Sequence, residues 1–299
     1  MILPKTLKPL KGKRILSLCL NLPGPAAIMR MKDMGAKCTK IEPKSPSGFE
    51  TRNSTDPMAR YQPEAYKLLH TDVKVIQLDL KKLEGQTKLH KLLKETDVLL
   101  TSFRPSALKK LKLTRTLIKR CHPHLSWIAI VGEHGSRAEY PGHDLTYLAE
   151  NGMVDGLNLP ASLFADMAGS LMVTEAVLTS LMLAQVKNKG QHREVALSNA
   201  AHYLGLPRQW GLTGPKNLLG GIHAGYNVYQ CKDGRVAIAA LEIHFIQRLI
   251  KLIGLAPQKE NEMESQFVHK AASNFFKKYD RNQLKDLSTK YDFPLCAMP

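Results

Sequence analysis

The chain has 299 residues, 43% hydrophobic and 23% charged, a globular balance with room for one large domain and a smaller one. No apolar run approaches the ~20 residues of a membrane span, and the basic start MILPKTLKPLKGKR lacks an apolar signal core, so a cytoplasmic chain is expected, with no membrane association. Five widely spaced cysteines without C-x-x-C argue against a disulfide frame or a zinc site. The net charge of +17 points to nucleic acid, for which no module is evident, or to a phosphorylated cofactor, while solvation explains most lysines.

In chain order, Arg14 to Leu20 (RILSLCL) reads as a buried strand, AAIMRMKDMGA as an amphipathic helix closed by Gly35, and Lys37 to Glu42 as a second strand. This βαβ order predicts a parallel sheet, although no G-x-G-x-x-G dinucleotide fingerprint follows the first strand. Pro43 to Tyr66 is rich in Pro, Ser and Asn and reads as a surface loop. Strands are expected at Val73–Leu80, Thr96–Phe103 and Leu125–Gly132, a helix over 81–95, and a basic helical stretch over Pro105–Lys119. Strand–helix alternation to about residue 135 predicts ligands at the strand C-termini.

Ala165 to Lys187 reads as a long buried helix stopped at Asn188-Lys189-Gly190, and HREVALSNAAHYLGL as a strand and a helix. Lys189-Gly190-Gln191 reads as a helix stop and turn. Residues 211–227 form a glycine-rich linker between a large domain, 1–210, and a small α+β domain, 228–299. The small domain is expected to hold a hairpin around Asp233-Gly234, amphipathic helices near Ile243–Leu255 and Phe267–Lys278, and an uncapped extended end at FPLCAMP.

The chemistry concentrates between Tyr140 and Ser170. His143 follows Pro141-Gly142 at a helix entry, and Asp166 stands at the mouth of the long apolar helix. His exchanges protons near neutral pH, and a carboxylate at a helix start meets free backbone N–H groups. Spacing alone leaves both open as helix caps.

Eight segments then resemble, in order, the family III coenzyme A transferases (CaiB/BaiF type), with the α-methylacyl-CoA racemase branch nearest. They are Pro23–Pro25, Gly35–Pro43, Leu78–Lys81, Thr96–Pro105, Pro141–Gly152, Phe164–Ser170, Lys189–Leu197 and Asp233–Glu242. The resemblance implies a Rossmann-like large domain, an interlocked homodimer, and coenzyme A or acyl-CoA as substrate with no tightly bound cofactor and no metal. It implies Asp166 as a covalent nucleophile in transfer, or as partner of His143 in α-proton exchange, with Glu242 orienting His143 from the partner chain. Racemase-like exchange at the thioester α-carbon is the leading expectation; CoA transfer and a non-catalytic CoA-binding homologue are the alternatives. Ser102, Phe103 and Arg104 match the place where the family holds adenine, and Lys44, Lys74, Arg104 and Lys110 are the candidates for CoA phosphates. For Lys109–Lys112 the plain alternative is a solvated surface, and for Glu242 a solvated helix start. The chain also departs from the family. Leu22 stands where transferases often have Gln, Pro43 where an Arg is frequent, Val131–Gly135 (VGEHG) replaces SGFG and brings His134, and the chain ends earlier than family members do.

Overall fold

The computed structural model describes residues 8–44, 54–256 and 260–299, in two compact units, Met1–Gly205 and Leu206–Pro299. The first unit holds strands β1 (Arg14–Ser17), β2 (Lys37–Glu42), β3 (Lys74–Gln77), β4 (Val98–Thr101), β5 (Ser126–Val131) and β6 (His192–Ala196). They form one sheet in the order β3-β2-β1-β4-β5-β6, with every pairing parallel. This is the doubly wound order whose chain reversal lies between β1 and β4, where a crevice opens at the strand C-termini. The α/β expectation of a Rossmann-like sheet is met.

Alternate strand residues feed two cores. Ile15, Val98, Leu100, Ile128 and Ile130 face one layer, built on α1 (Pro23–Asp33) and α8 (Phe164–Lys187). Leu16, Leu99, Trp127 and Ala129 face the other, with Leu89 and Leu93 of α4 (Leu83–Leu93), Leu108 of α5 (Pro105–Lys110) and Ile118 of α6 (Arg115–Cys121). A sheet covered on both faces needs such continuous apolar strands.

Helix α1 starts at Pro23, earlier than its periodicity suggests, because Pro at the first helical position loses no hydrogen bond. A Cβ on Gly24 would lie 2.2 Å from Cys19 Cβ, so only glycine lets α1 seat against the end of β1. The predicted surface loop holds two short helices, α2 (Pro57–Tyr61) and α3 (Pro63–Leu69); its part 45–53 lies outside the described residues. The expected basic helix is split into α5 and α6, with Lys112 left-handed at the break (φ 55°). Helix α7 (Asp144–Glu150) precedes α8, and α9 (Leu197–Gln209) runs through the division between the units.

Helix α8 corrects one expectation. It has 24 residues and, with a mean hydropathy of 1.5 over its richest window, is long and apolar enough by length and composition to cross a membrane. Its Val173, Val177 and Leu181 are buried in the core against the sheet.

The second unit is α+β. Strands β7 (Tyr226–Cys231), β8 (Gly234–Ala239) and β9 (Leu295–Met298) form an antiparallel sheet packed on α10 (Ile243–Leu252), α11 (Gln266–Phe276) and α12 (Arg281–Tyr291). The hairpin turns at Asp233-Gly234 as expected. The FPLCAMP end is not a loose extension: Leu295–Met298 pair with Ile238–Arg235 along the β8 edge.

Candidate active site

At the C-terminal end of the large sheet lies a cleft of about 230 Å³. Leu20 and Asn21 after β1, Ser102 to Arg104 after β4, and Ile130 to Gly132 ending β5 form its floor and wall, and His143 and Asp166 both line it. The two proton-handling groups singled out in the sequence therefore open onto one space. Ser102, Phe103 and Arg104 line it too, while Lys44, Lys74 and Lys110 do not. Lys44 is exposed beyond β2, Lys110 is exposed at the end of α5, and Lys74 begins β3, at the end of the sheet away from the cleft. Glu242 is the exposed residue preceding α10 in the second unit. His134 sits outside the cleft, 3.5 Å from Glu194 and 3.1 Å from Asn199.

His143 is the N-cap of α7, in extended conformation (φ −141°). Thr146 Oγ1 accepts its N–H at 3.1 Å, and its carbonyl accepts the Thr146 N–H at 2.9 Å, so the backbone is fixed while the ring stays exposed. Asp144, the next residue, is 5% exposed. Its Oδ1 accepts the Asp166 backbone N–H at 2.9 Å and ties the start of α8 to the start of α7. Burial, and after it the charge of Asp144, push the Asp166 carboxyl from its ordinary 3.8 up to about 7. The bond to Asp144 also occupies one of the free N–H groups at the start of α8.

Sequence reasoning passed over three parts of this site. Asp144 lies inside the Pro141–Gly152 segment, but its burial is not visible in composition. Tyr147, 5% exposed, packs so tightly that a Cβ on Gly132 or Gly142 would fall 2.3 or 2.5 Å from its hydroxyl. Burial, then the Asp166 charge, raise the pKa of this phenol. The third part is an ionic cluster behind the cleft. Lys40, 0% exposed, meets Asp56 at 2.5 Å, Glu42 at 3.1 Å and His70 Nε2 at 3.0 Å. Ser54 and Tyr66 donate to Glu42 at 2.7 and 2.8 Å. Burial pushes Glu42 up, but the Ser54 bond, the Lys40 charge and the Tyr66 bond outweigh it and hold the pKa below its ordinary value. Asp56 also accepts the N–H of Asn21, which is left-handed (φ 63°) at the cleft floor, so the cluster fixes the loop that forms that floor. Leu22, at the position where Gln was noted as frequent, packs with Ala26, Met58 and Leu69 and does not line the cleft.

Among the described residues no group of three His, Cys, Asp or Glu is placed to hold a metal.

The chain is 28% identical over 275 residues to the alpha-methylacyl-CoA racemase of Homo sapiens, covering 86% of this chain and 67% of that protein. It is 27% identical over 282 residues to the (R)-2-hydroxy-4-methylpentanoate CoA-transferase of Clostridioides difficile, covering 87% and 71%. The chain thus spans about two-thirds of the length of these relatives. The crystal structure of a hypothetical protein from Mycobacterium tuberculosis superposes with a TM-score of 0.80 at 22% identity, covering 97% of this chain and 85% of that one, a likeness of fold. The model of CoA-transferase family III matches residues 10–298, and the chain belongs to that family.

Proposed function

We propose that the chain acts on acyl-CoA thioesters and exchanges the α-proton between two faces of the α-carbon, as a racemase or epimerase. The observation that carries this reading is Asp166, a carboxyl held at a pKa of about 7 by burial and by Asp144, in the same cleft as His143. A group that titrates near working pH is the best compromise between being a base and being an acid. For one epimer, Asp166 takes the α-proton and the thioester carbonyl becomes an enolate; protonated His143 then delivers a proton to the other face. For the other epimer the roles reverse. Each turnover leaves one group protonated and the other not, ready for the reverse direction.

Coenzyme A is the substrate's carrier. Phe103 and Arg104 would hold its adenine end, with Ser102 beside them at the cleft wall, while Lys44, Lys74 and Lys110 belong to a phosphate-contact reading that the cleft lining does not support. Glu242 would orient His143 across an interlocked dimer.

A second reading is CoA transfer, in which Asp166 attacks the thioester carbonyl, expels CoA thiolate and forms a mixed anhydride. Similarity to a CoA-transferase favours it. The packing role of Leu22, where transferases often have Gln, counts against it. Deuterium wash-in at the α-carbon of a 2-methylacyl-CoA, with no acceptor acid present, separates the two. Exchange that is abolished in Asp166→Ala and in His143→Ala is expected. Absence of exchange, together with hydroxylamine-trappable CoA thioester on Asp166, would replace proton exchange by transfer.

A further inference from the structure

A second cavity, of about 280 Å³, opens at the opposite end of the large sheet. Trp127 and His192, which pair at the entry of β5 and β6, line it, whereas the cleft of Asp166 is lined by the exit of β5. Four cations converge on it from three segments. Arg115 and Lys119 stand one turn apart on α6, Lys187 ends α8, and Lys189 precedes β6. No carboxylate is among its lining residues. Among the described residues none of the four cations has an ion-pair partner.

The local sequence builds this arrangement. Residues i and i+4 of a helix share a face, which brings Arg115 and Lys119 together. Asn188 is left-handed (φ 47°) and turns the chain out of α8. A Cβ on Gly190 would lie 2.0 Å from the Leu125 carbonyl oxygen, so glycine alone lets the entry of β6 close on the turn that precedes β5, with Lys189 at the rim. His122, 3% exposed, also lines the cavity; its Nε2 is 2.8 Å from His90 Nδ1, and its own Nδ1 has no hydrogen-bond partner. A solvated lysine face needs no ligand, but its charges spread apart. Here like charges share a concave space, which costs free energy that an anion relieves.

We infer that this cavity binds a small multivalent oxyanion, a phosphorylated molecule, at a site separate from the Asp166 cleft. The backbone amides at the rim are already committed: Gly190 to the Pro123 carbonyl at 2.8 Å, Gln191 to Ser126 Oγ at 3.2 Å and Lys189 to the Ala184 carbonyl at 3.3 Å. Recognition therefore rests on side-chain charge, with the Arg115 guanidinium offering a planar fork for phosphate oxygens. Affinity rises with ligand charge, from inorganic phosphate through pyrophosphate to tripolyphosphate, and falls with salt.

Calorimetric titration of the full chain with tripolyphosphate tests this. One saturable site is expected at low salt. Lys119→Glu with Lys189→Glu weakens it ~10-fold or more, as removal of two charge-assisted contacts should. Lys277→Glu with Lys285→Glu, the same charge change on exposed positions of the second unit, leaves it within about twofold, as does Arg104→Glu in the cleft. No saturable binding, equal loss in both charge-reversal pairs, or loss in Arg104→Glu would each overturn the inference. So would binding of a long RNA by a chain that does not bind tripolyphosphate.

Discussion

Lys40 shows how far a single residue departs from its usual habit. A lysine with no exposed surface is tolerated only because Glu42, Asp56 and His70 surround its ammonium group. Burial first, then the Lys40 charge, hold the His70 pKa below its ordinary value, so the imidazole beside the ammonium is neutral near pH 7. Removing the cation strands two buried carboxylates. Lys40→Met should therefore lower the unfolding free energy by about 3–5 kcal/mol in a denaturant titration. A loss below about 1 kcal/mol would mean that the cluster is weakly coupled to the fold. None of this was legible in KCTKIE, where a lysine in a strand reads as solvent-facing. The partner Asp56 lies in a segment whose Pro and Ser content reads as loop, although Asp56-Pro57 is itself a helix start: Asp56 caps α2 by accepting the Met58 N–H at 3.0 Å.

At the scale of elements, strands were easier to read than short helices. The bounds of β2 match the expected Lys37–Glu42, and β5 and α8 shift by one residue from the expected start. Strand β5 is buried at every position and α8 along the side that faces the sheet, so their composition records their environment. Helix α12 was missed because its sequence RNQLKDLSTKY buries only Leu284; it is held by a capping box between Asp280 and Gln283. The register of α1 against β1 depends on Gly24. Gly24→Ala would force Cys19 and α1 apart at a contact with no slack, costing about 1–3 kcal/mol in denaturant unfolding and disturbing the cleft wall at Pro23. A neutral outcome would show that the helix entry moves freely. The cleft itself was half legible: His143 and Asp166 were found by their helix starts, and Asp144, Tyr147 and Asn21 only by their packing.

For the molecule as a whole, the parallel sheet explains why residues 20, 103, 143 and 166 meet, since strand C-termini and helix starts gather at one end. The proposed dimer adds a role that one chain does not reveal. If Glu242 serves His143 of the partner, co-expressed Glu242→Ala and His143→Ala chains form mixed dimers with one intact site and one doubly altered site. Activity should reappear in the mixture when each variant alone is inactive. No recovery, with mixed dimers verified by mass, would place Glu242 within its own chain's site or outside the chemistry.

The raised Asp166 pKa carries the chemical proposal, and its pH dependence is the most direct measurement. Asp166 removes a proton only when ionised, so kcat/KM for wash-in from the epimer whose α-hydrogen faces it should climb as pH rises through about 7. Because the Asp144 charge helps raise that pKa, Asp144→Asn, which keeps an acceptor for the Asp166 N–H, should move the acidic limb to lower pH. A limb near the ordinary carboxylate range in the wild type, or one that stays in place in Asp144→Asn, would contradict the tuned carboxyl as the proton-transferring group.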